Sequence, residues 1–160
     1  MRMRIVVADR SEARFYDMVS FTGALQPAGT LTDAKARLHE RDLVSDRPGR
    51  VFDHAAPPSG RRGAVAHHGT GGERSAREHE AESFAREIAK ALEVATREHR
   101  LDRIVLMAAP AFLGLLREAL PRTVKSVIFA EVHKDLVHQT DDVVRQHLPQ
   151  EAFRDLATPG

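Results

Sequence analysis

The first third of the chain reads as short apolar runs separated by only a few polar residues. Arg4-Ile5-Val6-Val7-Ala8 closes on Asp9-Arg10, which suits a buried strand, and Ala13-Arg14-Phe15-Tyr16-Asp17-Met18-Val19 follows almost at once. A parallel partner would need a crossover of a dozen residues or more, so this spacing predicts an antiparallel hairpin. Gly23, Pro27 and Gly29 punctuate the next stretch, where Leu25 to Leu31 supplies a third short strand. Thr32 and Asp33 then stand where a helix cap belongs, before Ala34-Lys35-Ala36-Arg37-Leu38.

Periodicity dissolves from about residue 46 to residue 75. Pro48, Pro57 and Pro58 fall here with Gly60, Gly63, Gly69, Gly71 and Gly72, and Arg47, Arg50, Arg61, Arg62 and Arg74 give a basic cast. This predicts a long, flexible loop, with Val51-Phe52 and Ala64-Val65-Ala66 as short strand pieces inside it. Order returns at Ser75-Ala76-Arg77-Glu78, which has capping-box spacing with Ser75 as N-cap. Ala81, Phe84, Ala85, Ile88, Ala89, Leu92 and Ala95 then make one continuous helical face over about residues 76–99.

Beyond the helix, Ile104 to Ala109 is apolar on both faces, as a parallel strand covered by helices would be. Pro110 suits the first turn of a helix running from Phe112 to Leu120 and stopped by Pro121. Val124 to Val132 reads as a further strand, and Asp141 to Leu148 as an amphipathic helix closed by Pro149. Strands alternating with helices indicate right-handed β-α-β crossovers. The expectation is one α/β domain over residues 1–160. Its mixed sheet has an N-terminal antiparallel hairpin and C-terminal β-α-β crossovers, with helices packed on it.

Composition narrows the function classes. The chain has 160 residues, 42% of them hydrophobic but only 5% aromatic, with no Trp and a single Tyr. Few rings are available to stack on unpaired bases. Lys plus Arg number 24 against 23 Asp plus Glu, so any basic surface must be local. The absence of Cys removes disulfides, thiolate metal sites and thiol nucleophiles. No run approaches the length of a membrane span, and the default address is the cytoplasm.

The chemistry concentrates in His67-His68-Gly69-Thr70-Gly71-Gly72-Glu73-Arg74-Ser75, directly before the predicted helix. Glycines permit positive φ and close approach, and a helix N-terminus offers free N–H groups to an anion. The string is neither a Walker A loop nor a dinucleotide fingerprint. A flexible surface loop whose glycines only provide slack is the plainer reading. A zinc site drawn from His67, His68, His79, Asp53, His54 and Glu82 has no recognised ligand spacing, so solvated histidines are favoured. Asp9 with Asp102 or Glu131 could form a carboxylate cluster for magnesium, although Asp at strand ends commonly makes turns. A serine-hydrolase elbow is missing. Lys134-Asp135 reads as a solvated turn.

Several blocks in chain order resemble the bacterial host-attachment protein family. They are Val6-Val7-Ala8-Asp9 with Ala13-Arg14-Phe15, residues Glu40 to Arg50, Phe84-Ala85-Arg86-Glu87-Ile88-Ala89, Ala109-Pro110 with Leu113-Gly114-Leu115-Leu116-Arg117, and Lys134-Asp135-Leu136. The resemblance extends to the middle domain of archaeal and eukaryotic class I peptide-release factors, and implies a ribonuclease-H-like topology. In those factors a Gly-Gly-Gln loop before a long helix enters the ribosomal peptidyl-transferase centre. Here Glu73 stands where that glutamine would be, and an ionised carboxylate among RNA phosphates argues against peptide release. The resemblance thus implies a non-catalytic or weakly catalytic module. Its contacts with the ribosome or tRNA would run through Arg61, Arg62, His67, His68, Gly69, Gly71, Gly72, Arg74 and Ser75, with Glu73 as the one catalytic candidate. No cofactor, resident metal, membrane or DNA is implied. The alternatives are an interaction factor in host attachment without enzymatic activity, and a metal-dependent hydrolase.

Overall fold

A computed structural model describes residues 1–19, 23–33 and 60–154, with backbone alone for 60–71, 73 and 74. Three strands open the chain: β1 (Met3–Ala8), β2 (Glu12–Met18) and β3 (Gln26–Thr32). A 40-residue helix, α1 (Gly60–His99), leads into β4 (Arg103–Met107). Then come α2 (Pro110–Ala119), α3 (Arg122–Lys125), β5 (Ile128–Val132), α4 (Asp141–Gln146) and α5 (Glu151–Arg154). The sheet order is β3-β2-β1-β4-β5. β1 pairs antiparallel with β2, and β2 with β3, whereas β1 pairs parallel with β4 and β4 with β5. This is the mixed sheet expected of the hairpin-rich first half and the β-α-β second half.

The strands sort their side chains by alternation into two cores. Val6, Ala8, Phe15, Ile104 and Leu106 face α1 and α2, where they meet Phe84, Ile88, Leu92, Leu113 and Leu116. Met3, Ile5, Val7, Tyr16, Met18, Val105 and Met107 face the other way, onto Leu136, Val137, Val144 and Leu148. Helices on both sides explain why every residue of β1 is buried. On the α1 face, the Phe84 and Phe112 rings sit 6.3 Å apart and tilted, joining α1 to the start of α2. Arg4 is the exception among the inward positions: its guanidinium makes two hydrogen bonds to the Asp17 carboxylate, at 2.8 and 3.0 Å.

Three expectations are corrected. Residues 60–75 are helical, so Ser75 lies inside α1 rather than at its cap, and Ala64-Val65-Ala66 is helix, not strand. Glycine costs a helix only about 1 kcal/mol relative to Ala, and a helix already nucleated in a packed section extends one residue at a time. Proline is the stronger barrier, and the last ones before this helix are Pro57 and Pro58. The strand expected from Val124 begins at Ile128, because Pro121 opens the short helix α3, which turns Val124 into the core. Of the two residues read as a cap, Thr32 closes β3 and Asp33 donates its N–H to the Ser11 carbonyl; the helix expected from residue 34, the strand piece at 51–52 and the loop over 46–59 lie outside the described residues.

Candidate functional site

Every residue singled out for RNA or anion binding falls on the N-terminal part of α1. Arg61, Arg62, His67, His68, Gly69, Gly71, Gly72, Glu73, Arg74 and Ser75 share one continuous helical backbone. Gly72 and Ser75 to His79 are exposed, and the first buried side chain described along α1 is Ala81. From Gly60 to Ala81 the axis rises about 30 Å. The packed section, Ala81 to Ala95, begins only there.

This placement changes the chemistry available. In a helix interior each N–H is used by the carbonyl four residues before it, so the amides of 69–75 are not free to cradle a phosphate. Gly72 is helical, with nothing within 4 Å of the place its Cβ would take, so it makes no close approach and needs no positive φ. The backbone cradle expected at Gly69 to Ser75 is therefore absent. What remains for an anion is the set of cationic residues carried along the helix, with Arg77 exposed beside them.

The second place to look is the carboxyl end of the parallel strands. The chain leaves β1 toward β2 and leaves β4 toward β5, so the strand order reverses there, as it does at ligand sites of open α/β sheets. Asp9 sits at this point. Its Oδ1 accepts from the Ser11 N–H at 2.8 Å, the Glu12 N–H at 2.7 Å and the Ser11 hydroxyl at 3.2 Å. Those bonds close the β1–β2 turn, the ordinary work of an Asp in a hairpin. Its Oδ2 lies 3.6 Å from His138 Nε2.

Other polar groups on the sheet are engaged with one another. Arg14 pairs with Glu12 at 3.3 Å and reaches the Gln139 carbonyl at 3.4 Å. The Tyr16 phenol is held above its ordinary pKa first by burial and then by its bond to Asp141, against the opposing pull of Arg14. Burial alone would lower Arg14, yet its bonds to Tyr16 and Glu12 leave it raised. On β5, Glu131 takes a forked pair from Arg117, both oxygens lying 2.9 Å from Nε. That guanidinium holds the Glu131 carboxyl below its usual range against a smaller opposing effect of burial.

These positions take apart the carboxylate cluster. Asp102 is at the other end of the sheet, where it accepts from the Arg2 N–H at 2.7 Å, so it cannot share an ion with Asp9. Glu131 is committed to Arg117. Among the described residues no group of three or more His, Cys, Asp or Glu is placed to hold a metal ion. His79 and Glu82 are exposed on α1; Asp53 and His54 lie outside the described residues. The contacts of Arg14 with Gln139 and of Asp9 with His138 were not legible, because topology makes them: Arg14 and Gln139 are 125 residues apart. No helix among the described residues is long and apolar enough to cross a membrane.

Comparison with known proteins gives the chain its family but little more. No curated protein matches it significantly. Among solved structures, one described as an archaeal protein is similar over 96% of this chain, at 10% identity and a TM-score of 0.48. The chain spans 36% of that protein's length. The family described as "Protein required for attachment to host cells" matches residues 4–148, almost the whole sequence, and the chain belongs to that family.

Proposed function

We propose that this host-attachment family protein is a non-catalytic, RNA-associated module that grips phosphate backbones with the N-terminal half of α1, at the ribosome or on tRNA. The observation that carries this reading is the segment's position. Arg61, Arg62, Arg74 and Arg77 ride on about 30 Å of helix whose first buried side chain described is Ala81. The side chains described there, Ser75 to His79, are exposed, and a helix spaces the cations it carries along one axis for successive phosphates. A near-neutral whole chain with one basic segment suits a single oriented contact rather than general coating. Catalysis is not part of the proposal, since Gly71-Gly72-Glu73 is helical and carries a carboxylate where hydrolysis would need a neutral amide.

The test is binding of tRNA and ribosomes by the whole protein at low and moderate salt. The wild type should bind at low salt. Changing Arg61, Arg62 and Arg74 together to Ala should flatten the salt dependence by up to about two to three counterions. Absence of binding at low salt, where such contacts are strongest, defeats the reading. A second reading, a protein–protein factor in attachment, is supported by the family's description. Cell fractionation separates the two: a stable envelope or extracellular pool favours attachment.

A further inference from the structure

The outer edge of the sheet carries an inference independent of RNA binding. β3 ends the sheet, and among the described residues no strand pairs with its outer side. It is exposed along its length except at Leu31, which is half-buried. Natural edge strands are usually protected by charge, proline or bulges. Here the protection is confined to one end. Pro27 lies there, and a bulge opposite Phe15 and Tyr16 is accommodated by Gly29 at φ +135°, a conformation that needs glycine. From Gly29 to Thr32 no described residue pairs with the edge, and the whole strand, Gln-Pro-Ala-Gly-Thr-Leu-Thr, has no charged residue.

The register shows which backbone groups face outward. Asp33 N–H donates to the Ser11 carbonyl at 2.8 Å, next to the Glu12–Thr32 pair. Hydrogen-bonded pairs alternate along an antiparallel ladder. Leu31 and Gly29 therefore turn their N–H and C=O groups toward β2, and Thr30 and Thr32 turn theirs away from the sheet.

We propose that this edge pairs with β3 of a second copy of the chain, antiparallel, about a two-fold axis at Leu31. That register sets Thr30 of each copy opposite Thr32 of the other as hydrogen-bonded pairs, which uses all four outward groups of each copy. Leu31 meets Leu31 as the intervening close pair. An isologous contact requires a surface compatible with itself, and a strand free of charge meets no like charge at the axis. Thr–Thr pairs on one face and Leu–Leu on the other are both favourable across strands. Beside Leu31, between α1 and β3, runs a groove of about 510 Å³ floored by Ala91, Val94 and Ala95. Glu87, Lys90, Arg4 and His99 also line it, and Arg4 is already paired with Asp17, so the groove carries both signs of charge.

Sedimentation equilibrium of the whole protein over a range of concentrations tests this, together with two variants. The wild type should show a monomer–dimer equilibrium. Thr32→Pro removes an outward N–H at an edge position that tolerates proline, and should weaken the dimer about tenfold or more. Thr30→Lys brings two like charges to diagonal positions across the axis and should weaken it independently, should the first variant fold poorly. Circular dichroism should show the monomer fold unchanged in both. A wild type that stays monomeric at high concentration overturns the proposal. So does a dimer that survives both changes, or slow exchange of the Thr30 and Thr32 amides in the monomer.

Discussion

The two halves of α1 share one backbone but are stabilised differently. From Ala81 to Ala95 the helix presents Ala81, Phe84, Ala85, Ile88, Ala89 and Leu92 to the sheet, and tertiary burial holds it. From Gly60 to His79 it carries five glycines, and the side chains described there are exposed. Propensity alone would barely sustain such a segment in isolation. Its order therefore leans on the packed half. Burial, rather than helicity, separates scaffold from candidate site.

The largest effect should come from breaking the packed half. Phe84 is 1% exposed and meets Phe112, so Phe84→Ala should cost about 3–5 kcal/mol in urea denaturation. In the other half Ala76 is exposed, and Ala76→Gly should cost about 1 kcal/mol of local helix with little change in the global midpoint. Comparable losses from the two changes would erase the distinction.

Next in size is a contrast of ion pairs. Asp17→Ala leaves the Arg4 guanidinium, 9% exposed, without its forked partner, and should cost about 1.5–3 kcal/mol by the same measurement. Gly72→Ala works in the opposite direction. Space is open at that position, and the change should stabilise the N-terminal half by about 0.5–1 kcal/mol, read as added helicity by circular dichroism.

The smallest effect concerns Glu131. Arg117 lowers its folded pKa, so the stability it contributes is present above the ordinary carboxylate range and lost as pH falls through the lowered value. Glu131→Gln should make the acid limb of a thermal-stability profile slightly shallower and leave neutral pH almost unchanged, since Arg117 is exposed and screened.

These contrasts also mark what the sequence could say. The hairpin was legible because only a few polar residues separate Ala8 from Ala13, and the packed half of α1 because its apolar residues recur at helical spacing. Pro110 marked the start of α2. The first half of α1 was hidden because glycines read as loop, whereas their cost is modest once a neighbouring section is anchored. β5 was drawn too long because Val124 and Val127 mimic a strand, and only the turn after Pro121 reassigns Val124 to α3. The basic cast that Arg61, Arg62 and Arg74 give the segment was visible in composition, but their place within α1 was not. That Asp9 and Asp102 lie at opposite ends of parallel strands could be known only once β1 and β4 were paired.

Hydrogen exchange along α1, with and without tRNA, bears most directly on the account. Without RNA, amides of 84–95 should be strongly protected and those of 60–79 weakly, with the step near Ala81. With RNA, protection should rise in 60–79 and stay unchanged in 84–95. Uniform protection along the helix, or no response of 60–79 to RNA, would contradict it.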